Sequence, residues 1–202
     1  MPEKVMFYSD GIQLVGYVYR PDDASPGEDR SGILVCHGFG AHQERYLPDI
    51  ASRLAKHGYV AMTFDYRGFG ESDGPKWRLI PSEQVVDIRN ALTFLQCQNG
   101  VDRNRVGLYG TSYGGANVVN AAAVDKRVKC TVSVVGVGNG ERWMRGLRRS
   151  YEWTQLNQDL EDDWKQRVLT GQSKMVDRLD LMLTDPDTRS ETEKVYKQYP
   201  AS

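Results

Sequence analysis

Up to Val137 the apolar positions come as short β-rich runs alternating with segments of helical period; beyond it only the helical period remains. Val5–Ser9 and Ile12–Arg20 are β-rich runs split by Asp10-Gly11, a dipeptide that favours a two-residue hairpin. A polar loop, Pro21–Ser31, leads into Gly32-Ile33-Leu34-Val35-Cys36, a continuous apolar run suited to a strand buried on both faces. Tyr46–His57 has helical spacing, with Ile50 and Leu54 on one face and Gly58 as its C-cap. Tyr59–Phe64 predicts a second buried strand, closed by the glycine-rich stretch Asp65–Gly74. Ser82–Cys97 is amphipathic through Val85, Val86, Ile88, Ala91, Leu92 and Leu95, and Asn99-Gly100 stops it. A short apolar strand from Val106, a helix over Ala116–Val124 and a β-branched strand over Val128–Val137 complete the series.

Strands alternating with helices predict an α/β fold: a doubly wound, mostly parallel sheet with helices on both faces. The texture changes at Asn139. From there to Gln198 the chain is charged, helical in period and punctuated by Gly146, Gly171 and Pro186. Its apolar stripe is Trp143, Trp153, Leu156, Leu160, Trp164, Leu169, Leu179, Leu181 and Met182. This predicts two parts, a core over 1–138 and a helical cap over 139–202 inserted after the sixth strand.

Composition narrows the function classes. The 202 residues carry a net charge of −1, which gives no electrostatic case for nucleic acid or an anionic membrane. No apolar run has the length of a membrane span, and the N-terminus lacks a signal-peptide apolar region, so a cytoplasmic protein is expected. Cys36, Cys97 and Cys130 sit in apolar settings and are expected to be buried thiols, with spacing for neither zinc nor disulfides. No metal and no cofactor is expected.

The candidate chemistry lies in Gly110-Thr111-Ser112-Tyr113-Gly114-Gly115, a Gly-x-Ser-x-Gly placed between a strand and a helix. A serine at such a turn has a strained backbone and projects its hydroxyl into a cleft, and Gly110 and Gly114 leave room for the turn. Gly38-Phe39-Gly40 with Asp65 partly imitates a dinucleotide fingerprint, but the third glycine position is Gln43 and the loop does not open a helix at once.

Together with Cys36-His37-Gly38-Phe39-Gly40 and Phe64-Asp65-Tyr66-Arg67-Gly68-Phe69-Gly70-Glu71-Ser72, this motif resembles the α/β-hydrolases. The branch it resembles is the dienelactone-hydrolase-like, acyl-esterase and X-Pro-peptidase-like group. The resemblance covers about Val5 to Val137 and implies Ser112 as a nucleophile that forms an acyl-enzyme with an ester or amide substrate. It implies an oxyanion hole from the backbone N–H groups of Phe39 and Tyr113. The Asp65–Gly74 loop is expected to be structural.

The family's triad runs serine, acid, histidine in chain order. Here the only histidines, His37, His42 and His57, all precede Ser112, and the family's last two strands have no counterpart. His37 is expected to brace the oxyanion loop and His57 to cap a helix. His42 lies on the loop beside the serine, but no carboxylate is evidently placed to orient it as a base. The expectation is therefore a truncated fold, whose hydrophobic sheet edge is covered by a C-terminal remainder or by a homo-oligomer. The complete family protein would be an enzyme; these residues alone would show little or no turnover. The alternative is a catalytically silent binding module or inactive fragment. Arg145, Arg148 and Arg149 are expected on a solvated, salt-bridged helix face rather than on an anionic substrate.

Overall fold

A computed structural model describes the chain except residues 26, 44, 45, 183–186, 188, 191, 192 and 195–202. It divides into two compact units, Met1–Val137 and Gly138–Ala201.

The first unit is built on a six-stranded mixed sheet of order β1-β2-β4-β3-β5-β6. β1 (Glu3–Ser9) and β2 (Ile12–Tyr19) form the expected hairpin. Its turn residues Asp10 and Gly11 both take positive φ, 49° and 79°, as a two-residue turn matched to strand twist requires. β2 pairs antiparallel with β4 (Val60–Phe64), and β4, β3 (Arg30–Cys36), β5 (Val101–Thr111) and β6 (Val128–Val134) run parallel. Every residue of β4 is buried, which is why its sequence is apolar at every position but Thr63. Two boundaries differ from the expected ones. β5 begins at Val101, because Arg30 and Ser31 extend the ladder past an irregularity to Val101 and Asp102. β6 ends at Val134, because Val135 takes a φ of 47°, which no strand continues through.

Helices cover both faces. α1 (Leu47–Lys56) sets Ala51 and Ala55 against Tyr19 and Ala61. α2 (Pro81–Gln96) and α3 (Tyr113–Val124) lie on the main core, where Ile88, Leu92, Leu95, Val118 and Ala121 pack with Leu34, Met62 and Leu108. β6 is one edge of the sheet and β1 the other. Val132 is 48% exposed and Val135 78%, and Val119 and Val124 on α3 are exposed too. That placement corrects the reading of the cysteines. Cys36 is buried, but Cys130 lies on the edge strand and Cys97 caps the end of α2, and both are exposed.

The second unit contains α4 (Gly140–Gly146), capped by the Asn139 side chain, α5 (Ser150–Thr170), ended by Gly171 at φ 74°, and a short α6 (Arg178–Leu181). Among the described residues Arg148 makes no ion pair. Its guanidinium donates to the carbonyls of Asp180 and Leu181 at 3.2 and 2.8 Å and ties α4 to α6. The expected apolar stripe is half-buried at Trp143, Trp153 and Leu156, whereas Leu160, Trp164 and Leu169 are exposed. Part of the expected helical segment, at 183–186, 188, 191, 192 and 195–198, lies outside the described residues.

Candidate active site

From β3 the chain crosses by α1 to β4 on one side, and by α2 it then returns to place β5 on the other. The loops leaving the C-terminal ends of β3 and β5 therefore diverge, and such a switch point opens the crevice in which α/β sheets hold their ligands. Residues 37–43 leave β3 there and Ser112 leaves β5.

Ser112 is the N-cap of α3, with φ 57° and ψ −121°. A serine at this position ordinarily folds its hydroxyl back onto the first helical turn. Ser112 makes no such bond, because its backbone is outside the range that allows it. Its backbone is pinned instead: its N–H donates to the Val134 carbonyl at 2.8 Å, and its carbonyl accepts from Ala116 at 3.3 Å and Val137 at 3.4 Å. A non-glycine residue held this way stores about 1–3 kcal/mol of strain. Gly114 meets β3 so closely that a Cβ there would lie 2.6 Å from the Cys36 carbonyl oxygen and closer still to that of His37. Gly110 is similarly closed off by the Gly114 backbone.

The loop after β3 is drawn against this turn. A Cβ on Gly38 would lie 3.3 Å from the Ser112 Cβ and 3.7 Å from its Oγ. The rings of Phe39 and Tyr113 meet edge to face, with centroids 5.7 Å apart. The structure thus brings Ser112, Phe39, Tyr113, Gly110 and Gly114 together. His37 is fully buried at the base of the loop. Its Nδ1 is 3.0 Å from the Gly38 carbonyl and its Nε2 is 3.5 Å from the Tyr66 backbone nitrogen and 3.9 Å from Asp65 Oδ1. His57 caps the C-terminus of α1, at the opposite end of the parallel strands, with Nδ1 2.8 Å from the Arg53 carbonyl. His42 is half-buried on the β3–α1 loop.

The Asp65–Gly74 stretch carries more than a tight return. Arg67, 8% exposed, grips the fully buried Asp87 of α2 through its backbone N–H at 3.1 Å, Nε at 3.0 Å and Nη2 at 2.6 Å, and reaches Ser9 and Asp10 on the hairpin. Ser72 links the β2 backbone N–H of Val15 to the Asp65 carbonyl. Asp65, 1% exposed, accepts from the Gln43 N–H at 2.7 Å, Gln43 Nε2 at 3.1 Å and the Glu71 N–H at 3.2 Å. Burial pushes its carboxyl up to about 7 against the pull of those donors. A carboxylate so enclosed has no surface to offer a ribose. Sequence reasoning passed over this role for Gln43 and Asp65; the signal was an acid standing directly after a strand with no exposed residue. Among the described residues no group of three or more His, Cys, Asp or Glu could hold a metal.

A mixed sheet of this order, with a strained serine between β5 and α3 facing a Gly-rich loop after β3, is that of an α/β-hydrolase. The chain belongs to the serine aminopeptidase S33 family of these proteins, whose model matches residues 27–201. It is 38% identical over 168 residues to an uncharacterized 31.7 kDa protein in the traX-finO intergenic region of Escherichia coli, covering 83% of this chain and 58% of that protein. It is 37% identical over 126 residues to the thiohydrolase aneE of Aspergillus aculeatus, covering 62% of this chain and 38% of the relative. The α/β hydrolase GrgF from Penicillium sp. shares the fold, with a TM-score of 0.74 at 22% identity over 100% of this chain and 68% of that one. The chain spans less than two thirds of the length of these curated relatives. No helix among the described residues is long and apolar enough to cross a membrane.

Proposed function

We propose that residues 1–202 carry the nucleophile and oxyanion half of a serine hydrolase that cleaves carboxylic esters or amides through an acyl-enzyme. Ser112 is the nucleophile. Its Oγ attacks the acyl carbon, the leaving group departs with a proton, and water later releases the acid. The backbone N–H groups of Phe39 and Tyr113 receive the oxyanion, the second from the N-terminus of α3, where the helix dipole favours negative charge. The observation that carries this reading is the Ser112 backbone, held at φ 57° with its hydroxyl making no capping bond to the helix that follows. The name of the relative from Aspergillus aculeatus adds thioesters to the acyl substrates worth testing.

A second reading, a catalytically silent binding module, has one observation in its favour. His37 is enclosed with both ring nitrogens engaged, and His57 lies at the far end of the sheet, so neither is a base for Ser112. General-base assistance is worth roughly 10²–10⁴-fold, so residues 1–202 alone should turn over esters poorly. A fluorophosphonate probe separates the two readings. The natural protein should label at Ser112 and lose labelling in Ser112→Ala; an unlabelled natural protein would sink the hydrolase reading.

A further inference from the structure

We infer that Asp65 and Gln43 together are positioning residues of the oxyanion loop: they fix its far end, and so hold the Phe39 N–H where Ser112 chemistry needs it. This rests on the hydrolase reading above. Residues 37–43 have two anchors. The near one is the close packing of His37 and Gly38 on Gly114 and Ser112. The far one is Gln43, 1% exposed, whose backbone and side-chain N–H groups both end on the Asp65 carboxylate. Phe39 lies between the anchors, and the Ala41 N–H to Gly38 carbonyl bond at 3.3 Å tightens the span.

The far anchor is built for one orientation. Thr63 on β4 donates its hydroxyl to Gln43 Oε1 at 2.9 Å, which fixes the amide with its nitrogen toward Asp65 and the Val15 carbonyl. The backbone closes over Asp65 from the other side. Gly70 sits at φ 49° where any Cβ would overlap the carboxylate, and the next N–H, that of Glu71, donates to it. Among the described residues the three groups that hydrogen-bond the carboxylate are all N–H donors. A carboxamide at 65 would set donor against donor, and one of the three bonds would open.

The role can be separated from mere folding. In the natural protein, Asp65→Asn should lower kcat for p-nitrophenyl butyrate about 10-fold or more, with KM within about threefold, since a whole oxyanion donor is worth roughly 10²–10³ in kcat. The exchanged pair Asp65→Asn with Gln43→Glu restores an acceptor opposite the amide and should recover at least about threefold of that loss. If Asp65→Asn does not fold, Thr63→Val, which frees the Gln43 amide and also removes the hydroxyl bonded with Tyr19, should lower kcat about threefold. A wild-type kcat in Asp65→Asn, a loss confined to KM, no recovery in the exchanged pair, or, where Asp65→Asn does not fold, an unchanged kcat in Thr63→Val would overturn the inference. A wild-type protein that neither labels nor hydrolyses would instead overturn the hydrolase reading.

Discussion

Asp87→Asn tests how much of the site's framework hangs on one buried ion pair. Asp87 is fully buried and takes the Arg67 backbone N–H, Nε and Nη2, while the guanidinium also reaches Ser9 and the exposed Asp10. Removing one partner of a buried pair costs about 3–5 kcal/mol, because the other charge is left uncompensated. The introduced carboxamide would still accept one bond and Asp10 Oδ2 stays 3.3 Å away, so the low end applies, about 3 kcal/mol. With an m-value near 2 kcal/mol/M, the urea midpoint should fall by about 1.5 M. The double replacement Arg67→Met with Asp87→Leu removes both charges and should cost less than Asp87→Asn alone. A loss under about 1 kcal/mol for Asp87→Asn, or additive losses across the pair, would show that the α2-to-loop clamp is not what stabilises this unit.

Asp65 should also leave a signature in stability against pH. Its carboxyl lies at about 7 in the folded chain against 3.8 ordinarily, mainly through burial, with His37, Gln43 and Glu71 around it and Lys4 paired to Glu71 behind. Between those values the folded state keeps a proton that the unfolded state has released, so stability falls as pH rises from about 4 to about 7 and then levels. The full span is on the order of 4 kcal/mol, read as the difference between wild type and Asp65→Asn in urea titrations at each pH; parallel curves for the two would refute it. Val132→Lys places a charge on the exposed edge strand and should reduce self-association of residues 1–202 in sedimentation velocity, at a cost under about 0.5 kcal/mol. Unchanged association would mean that copies do not meet at this edge.

The sheet and its helices were legible because each has a local cause. Val60–Phe64 is apolar but for Thr63 since both sides are covered, and Asp10-Gly11 names its own turn. Ser112 was legible for a similar reason: strand, turn and helix are contiguous in the chain. What escaped was non-local. The bond from Gln43 to Asp65 joins residues 22 apart, and that from Arg67 to Ser9 residues 58 apart. Neither side chain shows in a periodicity, because polar residues in loops read as solvated until the fold encloses them. The extension of β5 back to Val101 escaped likewise, since Asp102, Arg103 and Arg105 are polar and the ladder there is set by Arg30 and Ser31. Cys130 was misjudged because an apolar strand reads the same at an edge as in the middle.

That edge and the serine are not independent. Among the described residues β6 pairs on one side only, with β5. Yet it is the Val134 carbonyl that accepts the Ser112 N–H, and Val137, just past the strained Val135, that donates to the Ser112 carbonyl. The elbow therefore takes two of its three backbone restraints from an edge strand and the residues just past it, and an edge ladder opens more easily than a central one. Holding a non-glycine residue at φ 57° needs neighbours that over-determine it. Whatever covers β6 would steady Ser112 as well as hide Val132, so the conformational strain at Ser112 depends on what lies against this edge of the sheet.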